Sequence, residues 1–458
     1  MIILKEETKR ALCIRLPKKV KFIIETIQAA GLDAYAVGGC VRDSILGREP
    51  CDWDITTSAR PEQIKELFRH TVDTGIQHGT VTVLVEKEGF EVTTYRIDGE
   101  YEDCRHPKCV DFTDDLTEDL KRRDFTINAM AYNESRGLVD VFDGIEDLRS
   151  GIIRCVGEAE ERFGEDALRM LRAIRFSAQL GYTIEEKTYQ AIRGLAPSLA
   201  HISAERIQAE LVKLMVSPHP EYLQTAYDTG VTSVFFPEWD RAMQTHQNHP
   251  HHCYGVGEHI LHSLTEVPAD KVLRLAMLLH DIAKPETIVT DDNGVTHFRG
   301  HAARGESMAK EILRRLKFDN DTIGKVCKLV LYHDYGNAVV PDRRIVRRAV
   351  NKIGEELFPS LLLVKKADIL AQSDYLRREK LENLEAWRVC YEEILSAGEC
   401  VSLKNLAIGG RDLIASGFEP GKKLGEVLNL LLNEVLDEPQ KNTREYLLSR
   451  ALEVVKEA

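Results

Sequence analysis

The stretch that most constrains this 458-residue chain runs from Ala36 to Asp54 and reads AVGGCVRDSILGREPCDWD. An apolar run, Ala34 to Val37, stops at Gly38 and Gly39, where backbone amides can approach a phosphate that a side chain would block. Arg42 follows within one turn. If the segment from Cys40 is helical, its N-terminus and Arg42 together make an anion site beside the glycines. Asp52 and Asp54, separated by Trp53, then open a predicted strand. Alternation along that strand puts both carboxylates on one face, where they can hold one or two Mg²⁺ ions. A glycine pair alone is usually a turn, and a lone pair of acids is usually solvated. In this order and this close together they are the parts of metal-assisted nucleotidyl transfer.

Charge and composition narrow the alternatives. A formal net charge of −13 argues against nucleic-acid binding by bulk positive charge, although local clusters remain. These are Lys121 to Arg123, the series Arg169, Arg172 and Arg175, and Arg343, Arg344, Arg347 and Arg348, the last expected as a solvated helix face. No run is long and apolar enough for a membrane span. The ten cysteines form no CxxC pair, which excludes a zinc ribbon and a disulfide framework as expectations. The opening residues do not read as a signal peptide, so a cytoplasmic protein is expected.

Along the chain, residues 17 to 30 and 61 to 70 read as helices. Thr80 to Glu86 and Phe90 to Arg96 read as a β-hairpin turning at Lys87 to Gly89. A small α/β sheet carrying the carboxylates follows, with Glu91 able to offer a third. Asp98 to Asp119 is polar and acidic and reads as a mobile loop. Lys121 to Ala131 is expected to begin a helix, with Arg123 and Asp124 placed for a phosphate and a ribose hydroxyl. Farther on, Asp166, Arg169, Arg172 and Arg175 recur at three-residue spacing and read as one polar helix stripe. That stripe is either an ordinary row of ion pairs or a surface that reads the edge of a base, an Asp accepting and an Arg donating.

Five motifs together, GGCVRD, DWD, RRDFTINAMAY, EDALRMLRAIRF and ISAERIQAEL, resemble in order the class II tRNA nucleotidyltransferase and bacterial poly(A) polymerase family. The resemblance covers about the first 215 residues. It implies an α+β chain: a polymerase-β-like nucleotidyltransferase head, a small mixed sheet with helices, followed by all-α neck, body and tail. It implies that Gly39 and Arg42 bind the triphosphate, that Asp52 and Asp54 are the catalytic metal ligands, and that Arg123 binds the nucleotide. Asp166 and Arg169 would pair with the incoming base, supported by Arg172 and Arg175. The expected substrates are CTP, ATP and tRNA, with Mg²⁺ as the head's metal. A loop with Tyr101, Asp103, Arg105, His106 and Pro107 favours A addition, so the choice lies between complete CCA addition and A addition beside a separate CC-adding enzyme. Poly(A) polymerase ranks lower, because the chain lacks a long basic tail.

A second chemistry is expected in the middle of the chain. His259, the adjacent pair His280 and Asp281 at the end of an apolar helix, and Asp368 have the order of an HD metal site and look like those of HD phosphohydrolases. Imidazoles with carboxylates suit a divalent transition metal. His301 and His333 could extend the site to a second ion, and His246, His249, His251 and His252 lie in a loop just upstream. An HD domain can also keep its helices and lose turnover. The C-terminal part reads as helical, with a glycine-rich turn from Gly417 to Gly425 that could hold an RNA phosphate. The expected division is a head over 1–150, a neck over 151–240, an HD domain over 241–375 and a tail over 376–458. Resemblance implies that body and tail grip the acceptor and T arms of tRNA by shape.

Overall fold

A computed structural model describes residues 13–99, 110–337 and 339–457. The chain forms two compact units, residues 1–237 and 238–458. Tyr101, Asp103, Arg105, His106 and Pro107 lie outside the described residues.

The first unit is built on a mixed seven-stranded sheet. Its strands are β1 (Ala34–Val37), β2 (Ile55–Thr57), β3 (Thr71–Gly75), β4 (Thr80–Val85), β5 (Glu88–Thr94), β8 (Met130–Asn133) and β9 (Gly137–Asp140). Between them, β6 (Arg96–Asp98) and β7 (Val110–Phe112) pair as a separate antiparallel ribbon. The sheet order is β3-β4-β5-β2-β1-β8-β9. β1 is apolar and buried at every position, as a central strand covered on both faces must be. It runs antiparallel to both β2 and β8, while β2 lies parallel to β5. The hairpin β4–β5 turns at Glu86 and Lys87, both at positive φ, a two-residue turn matching the strand twist.

Three local expectations are corrected. The span 98–119 is structured at both ends, by the β6–β7 ribbon and by the helix Leu116–Lys121, which Asp115 caps by accepting from the Thr117 amide at 2.8 Å. RRDFTINAMA does not begin a helix. It follows a helix that ends at Lys121, passes through a single 3₁₀ turn at Thr126–Asn128 and enters β8, because its apolar residues are needed in the sheet and under it rather than along one helical face. Asp52 and Asp54 precede β2 instead of lying in it.

Downstream helices complete the unit. Ala159–Glu165 and Leu168–Leu180 are separate helices, broken at Asp166, whose backbone is extended (φ −144°, ψ 102°). The stripe expected on one helix therefore begins in a turn. Ala204–Met215 packs along Leu168–Leu180.

Among the described residues the second unit is helical apart from a small hairpin, Val289–Thr290 with Thr296–His297. The helices Val256–Thr265, Lys271–Leu279, His301–Arg315, Asn320–Tyr332 and Phe358–Leu370 surround its first core. A further cluster around Leu413, Leu431, Val435 and Leu447 forms the core of the C-terminal part. Arg343, Arg344 and Arg348 of Arg343–Ile353 are exposed, as expected of a solvated face, but Arg347 is not. Arg347 is buried, donating to the Leu436 carbonyl at 2.7 Å and to Glu399 at 2.6 Å, while Arg344 and Arg348 both clasp Asp437. Among the described residues no helix is long and apolar enough to cross a membrane.

Candidate functional site

Sheet register assembles the first site. The Val37 amide donates to the Asp54 carbonyl at 3.0 Å and the Gly38 amide to the Met130 carbonyl at 3.1 Å. The ends of β1, β2 and β8 therefore meet where Gly38 and Gly39 open the helix Gly39–Ile45. Gly38 adopts φ +83° and ψ −132°, and a Cβ there would stand 3.1 Å from an Arg123 guanidinium nitrogen. Only glycine suits that backbone and that close passage. Because β2 pairs with β5 as Ile55 with Val92, Glu91 arrives beside Asp54 from a strand distant in sequence.

Electrostatics agree with that placement. Crowding by protein raises the Asp54 carboxyl above its ordinary value, and the negative charges of Asp52 and Glu91 raise it further, while Arg123 offsets them. Carboxylates that repel one another beside the glycine turn are a donor set suited to a divalent cation.

Two guanidiniums flank the carboxylates. Arg42 is buried, held by Asp43 through two bonds of 2.9 Å and by the Asn128 side-chain oxygen at 2.7 Å. Arg123 is held 3.5 Å from Asp119, itself fully buried and bonded to Thr56 and Arg122. Burial lowers the pKa of Arg123, and its Nε has no hydrogen-bond partner. A buried, unsatisfied donor beside the glycine turn is a ready partner for phosphate oxygen. Asp124, in contrast, is committed to Arg172 at 2.6 Å. Burial opposes its charge, yet Arg172 outweighs that cost and draws the carboxyl down to about 2.

The base-side residues do not pair with one another. Asp166 accepts from both terminal nitrogens of Arg206, at 3.2 and 2.7 Å, and from the Leu168 amide at 3.1 Å. Arg169 pairs with Glu165 at 2.5 Å and donates to the Arg122 carbonyl at 3.1 Å. Arg175 is buried against Glu210 at 2.8 Å. The ring of Phe176 gathers Arg42, Arg172 and Arg175, whose guanidinium carbons lie 5.0, 5.4 and 3.5 Å from its centre. Sequence reasoning missed Asn128, Asp119, Phe176, Arg206 and Glu210 as individual supports. All five lie in or beside the motifs already quoted, but spacing alone gives no sign of partners remote in the chain.

In the second unit, His259, His280, Asp281 and Asp368 do converge. His259 Nε2 lies 3.0 Å from Asp368, 3.2 Å from His280 Nε2 and 3.5 Å from Asp281. His259, His280 and Asp368 make one group able to hold an ion. A cavity of about 660 Å³ opens beside them, lined among others by Asp281, Lys284, His252, Lys380 and Trp387.

Comparison with known proteins decides the family. Residues 34–154 match the Poly A polymerase head domain, and residues 293–451 match a tRNA nucleotidyltransferase domain 2. The CCA-adding enzyme of Latilactobacillus sakei is 38% identical over 435 residues, 94% of this chain and 96% of that protein. The chain belongs to the CCA-adding enzyme family. Within that family, the Lactiplantibacillus plantarum CCA-adding enzyme is 56% identical over 200 residues, a match spanning 44% of this chain and about half, 49%, of that relative. The crystal structure of the Bacillus stearothermophilus CCA-adding enzyme in complex with CTP superposes with a TM-score of 0.70 at 30% identity, covering 95% of this chain and 96% of that one. The Thermotoga maritima CCA-adding enzyme complexed with tRNA shares the fold, with a TM-score of 0.61 at 21% identity over 98% of each chain. The nucleotidyl transfer of CCA-adding enzymes uses divalent metal.

Proposed function

We infer that this chain adds the 3′-terminal CCA of tRNA from CTP and ATP without a nucleic-acid template. The observation that carries the reading is the single sheet end where the Gly38–Gly39 turn, Asp54, Glu91 and the unsatisfied Arg123 donor meet. Asp52 and Asp54 would hold Mg²⁺, which when bound acidifies the tRNA 3′-hydroxyl and neutralises charge on the phosphates. The 3′-oxygen bonds to the α-phosphorus of the nucleotide, the bond to the β-phosphate breaks, and pyrophosphate leaves against Arg42, Arg123 and the glycine amides. Asp166 accepts from the amino group of cytosine or adenine and Arg169 donates to the adjacent ring nitrogen. Uracil and guanine present the opposite pattern there, so acceptor oxygens on Asp166 reject them.

The test is incorporation of labelled CTP, ATP and both into tRNA transcripts ending at the discriminator base, at C and at CC. Addition of all three nucleotides to the shortest transcript is expected. Extension of the CC-ended transcript alone, by ATP alone, would make this an A-adding enzyme and require a separate CC-adding partner. Long A tails on unrelated RNA would instead indicate a poly(A) polymerase.

A second reading rests on the quartet His259, His280, Asp281 and Asp368. Its convergence beside a lysine-containing cavity supports a metal-dependent phosphohydrolase-like centre holding a divalent transition ion, separate from the head's Mg²⁺.

A further inference from the structure

We propose that Asn128 is a positioning residue of the nucleotidyl transfer: its side-chain amide fixes the Arg42 guanidinium at the glycine turn, so that the triphosphate meets a donor already aimed. The proposal rests on the reading that Arg42 faces the phosphates. Asn128 ends the 3₁₀ turn Thr126–Asn128 just before β8 and is buried. Its Oδ1 accepts from Arg42 Nη1 at 2.7 Å, and its Nδ2 donates to Asp124 Oδ1 at 3.2 Å. The two ends of the amide are not interchangeable. A guanidinium only donates and an ionised carboxylate only accepts, so turning the amide over would set N–H against N–H and oxygen against oxygen.

Asp124 is the fixed end of that chain of bonds. Its Oδ2 accepts from Arg172 Nε and Nη2 at 2.7 and 2.6 Å, and its Oδ1 accepts also from the Phe125 amide at 2.9 Å. Arg42 is the end that needs holding. Its other partner, Asp43, is the next residue of the same short helix, so that bond moves with the arginine and sets no position relative to the sheet. Asn128 lies 86 residues away, in the segment whose Met130 carbonyl accepts from the Gly38 amide. One piece of chain therefore holds both the glycine turn and the guanidinium beside it.

These bonds leave part of the guanidinium for a ligand. Nε and one N–H of Nη2 go to Asp43, and one N–H of Nη1 goes to Asn128. Each terminal nitrogen keeps a second N–H, and Nη2 stands 3.8 Å from the place that a Cβ on Gly39 would occupy. Donors from one planar group, beside a turn without side chains, suit the oxygens of a phosphate. The Phe176 ring, 5.0 Å from the guanidinium carbon, backs the group but does not direct its N–H bonds. Without the amide, Asp43 and the ring leave the guanidinium free to swing, and the triphosphate must order it at a cost in affinity.

The experiment follows A addition by the full chain to a tRNA transcript ending at CC, with inorganic pyrophosphate and adenosine as separate inhibitors. Pyrophosphate reports the grip on phosphate, and adenosine, which carries none, reports the base side. Asn128→Ala should raise the KM for ATP and the inhibition constant of pyrophosphate together, by about tenfold. The inhibition constant of adenosine should stay within about twofold, because Asp124 keeps Arg172 and the Phe125 amide. Asn128→Ser, too short to span both partners, should reproduce the split and serves if the alanine variant fails to fold. Pyrophosphate inhibition unchanged in the folded variants would overturn the proposal. Equal weakening of pyrophosphate and adenosine would overturn it too, making Asn128 a support of the whole pocket. A parent chain that adds no A would overturn both the proposal and the reading it rests on.

Discussion

At the scale of single residues, the head's chemistry depends on charges that repel until something intervenes. Asp54 is raised by its surroundings and by Asp52 and Glu91, and if it holds the metal as proposed, Asp54→Ala should cut nucleotide incorporation by about 10³-fold or more. Its circular dichroism should stay unchanged. Asp124 makes the opposite case. Its carboxyl is drawn to about 2 in the folded chain, below the roughly 3.9 of an unfolded aspartate. The pair with Arg172 therefore stabilises fully above about pH 4 and is lost as pH falls through about 2, a contribution on the order of 2 kcal/mol. Acid titration of Asp124→Asn should show that part of the acid-side fall missing and a matching loss of stability at neutral pH. Residue identity made Asp52, Asp54 and Arg42 legible in the sequence, since glycine, carboxylate and guanidinium each have a narrow chemistry at that spacing. Glu91 was legible only as an alternating strand residue, because its meeting with Asp54 depends on a parallel pairing that no local pattern reveals.

At the scale of elements, the helix Ala204–Met215 acts as a rail. Arg206 and Glu210 lie one turn apart on it, one holding Asp166 and the other Arg175. Removing Arg206 frees the Asp166 carboxylate to rotate. Arg206→Ala should thus lower the kcat/KM ratio of CTP over UTP by about tenfold, as expected for loss of an oriented charged hydrogen bond, with total CTP turnover less affected and Arg206→Lys recovering part of the ratio. The helix Arg343–Ile353 presents a contrast of magnitudes. Arg347→Ala would strip a buried partner from Glu399 and from the Leu436 carbonyl, costing about 3 kcal/mol, whereas Asp437→Ala breaks exposed pairs worth at most about 1 kcal/mol. Thermal melts of the two variants should differ accordingly. Strand alternation and apolar patterning made the hairpin β4–β5 and the apolar helix from Val272 to Leu279 legible in advance, whereas the helix at Gly39–Ile45 stood only as a condition of the anion site. The break at Asp166 was not, because EDALRMLR has unbroken helical propensity and nothing in that stretch announces that the Asp166 carboxylate accepts from the Leu168 amide and from Arg206 forty residues on.

At the scale of the whole molecule, two donor sets of different character lie on one chain, carboxylates in the head and imidazoles with carboxylates in the second unit. Carboxylates alone suit Mg²⁺, and imidazoles with carboxylates suit softer ions. Asp281→Ala should leave nucleotide incorporation in Mg²⁺ within about twofold of the parent while abolishing transition-metal loading, and Asp54→Ala should do the reverse, since the ligand sets share no residue. The sequence order of His259, His280, Asp281 and Asp368 was legible, but their convergence was not, because it depends on packing between helices far apart in the chain. The ring of Phe176 carries a consequence of another kind. It touches Arg42 on the triphosphate side and belongs to the helix that bears the base-side arginines. If the proposed roles hold, the grip on what every nucleotide shares and on what distinguishes one from another meets at a single aromatic ring, so a change that retunes the choice of letter there would disturb the hold on the common tail as well.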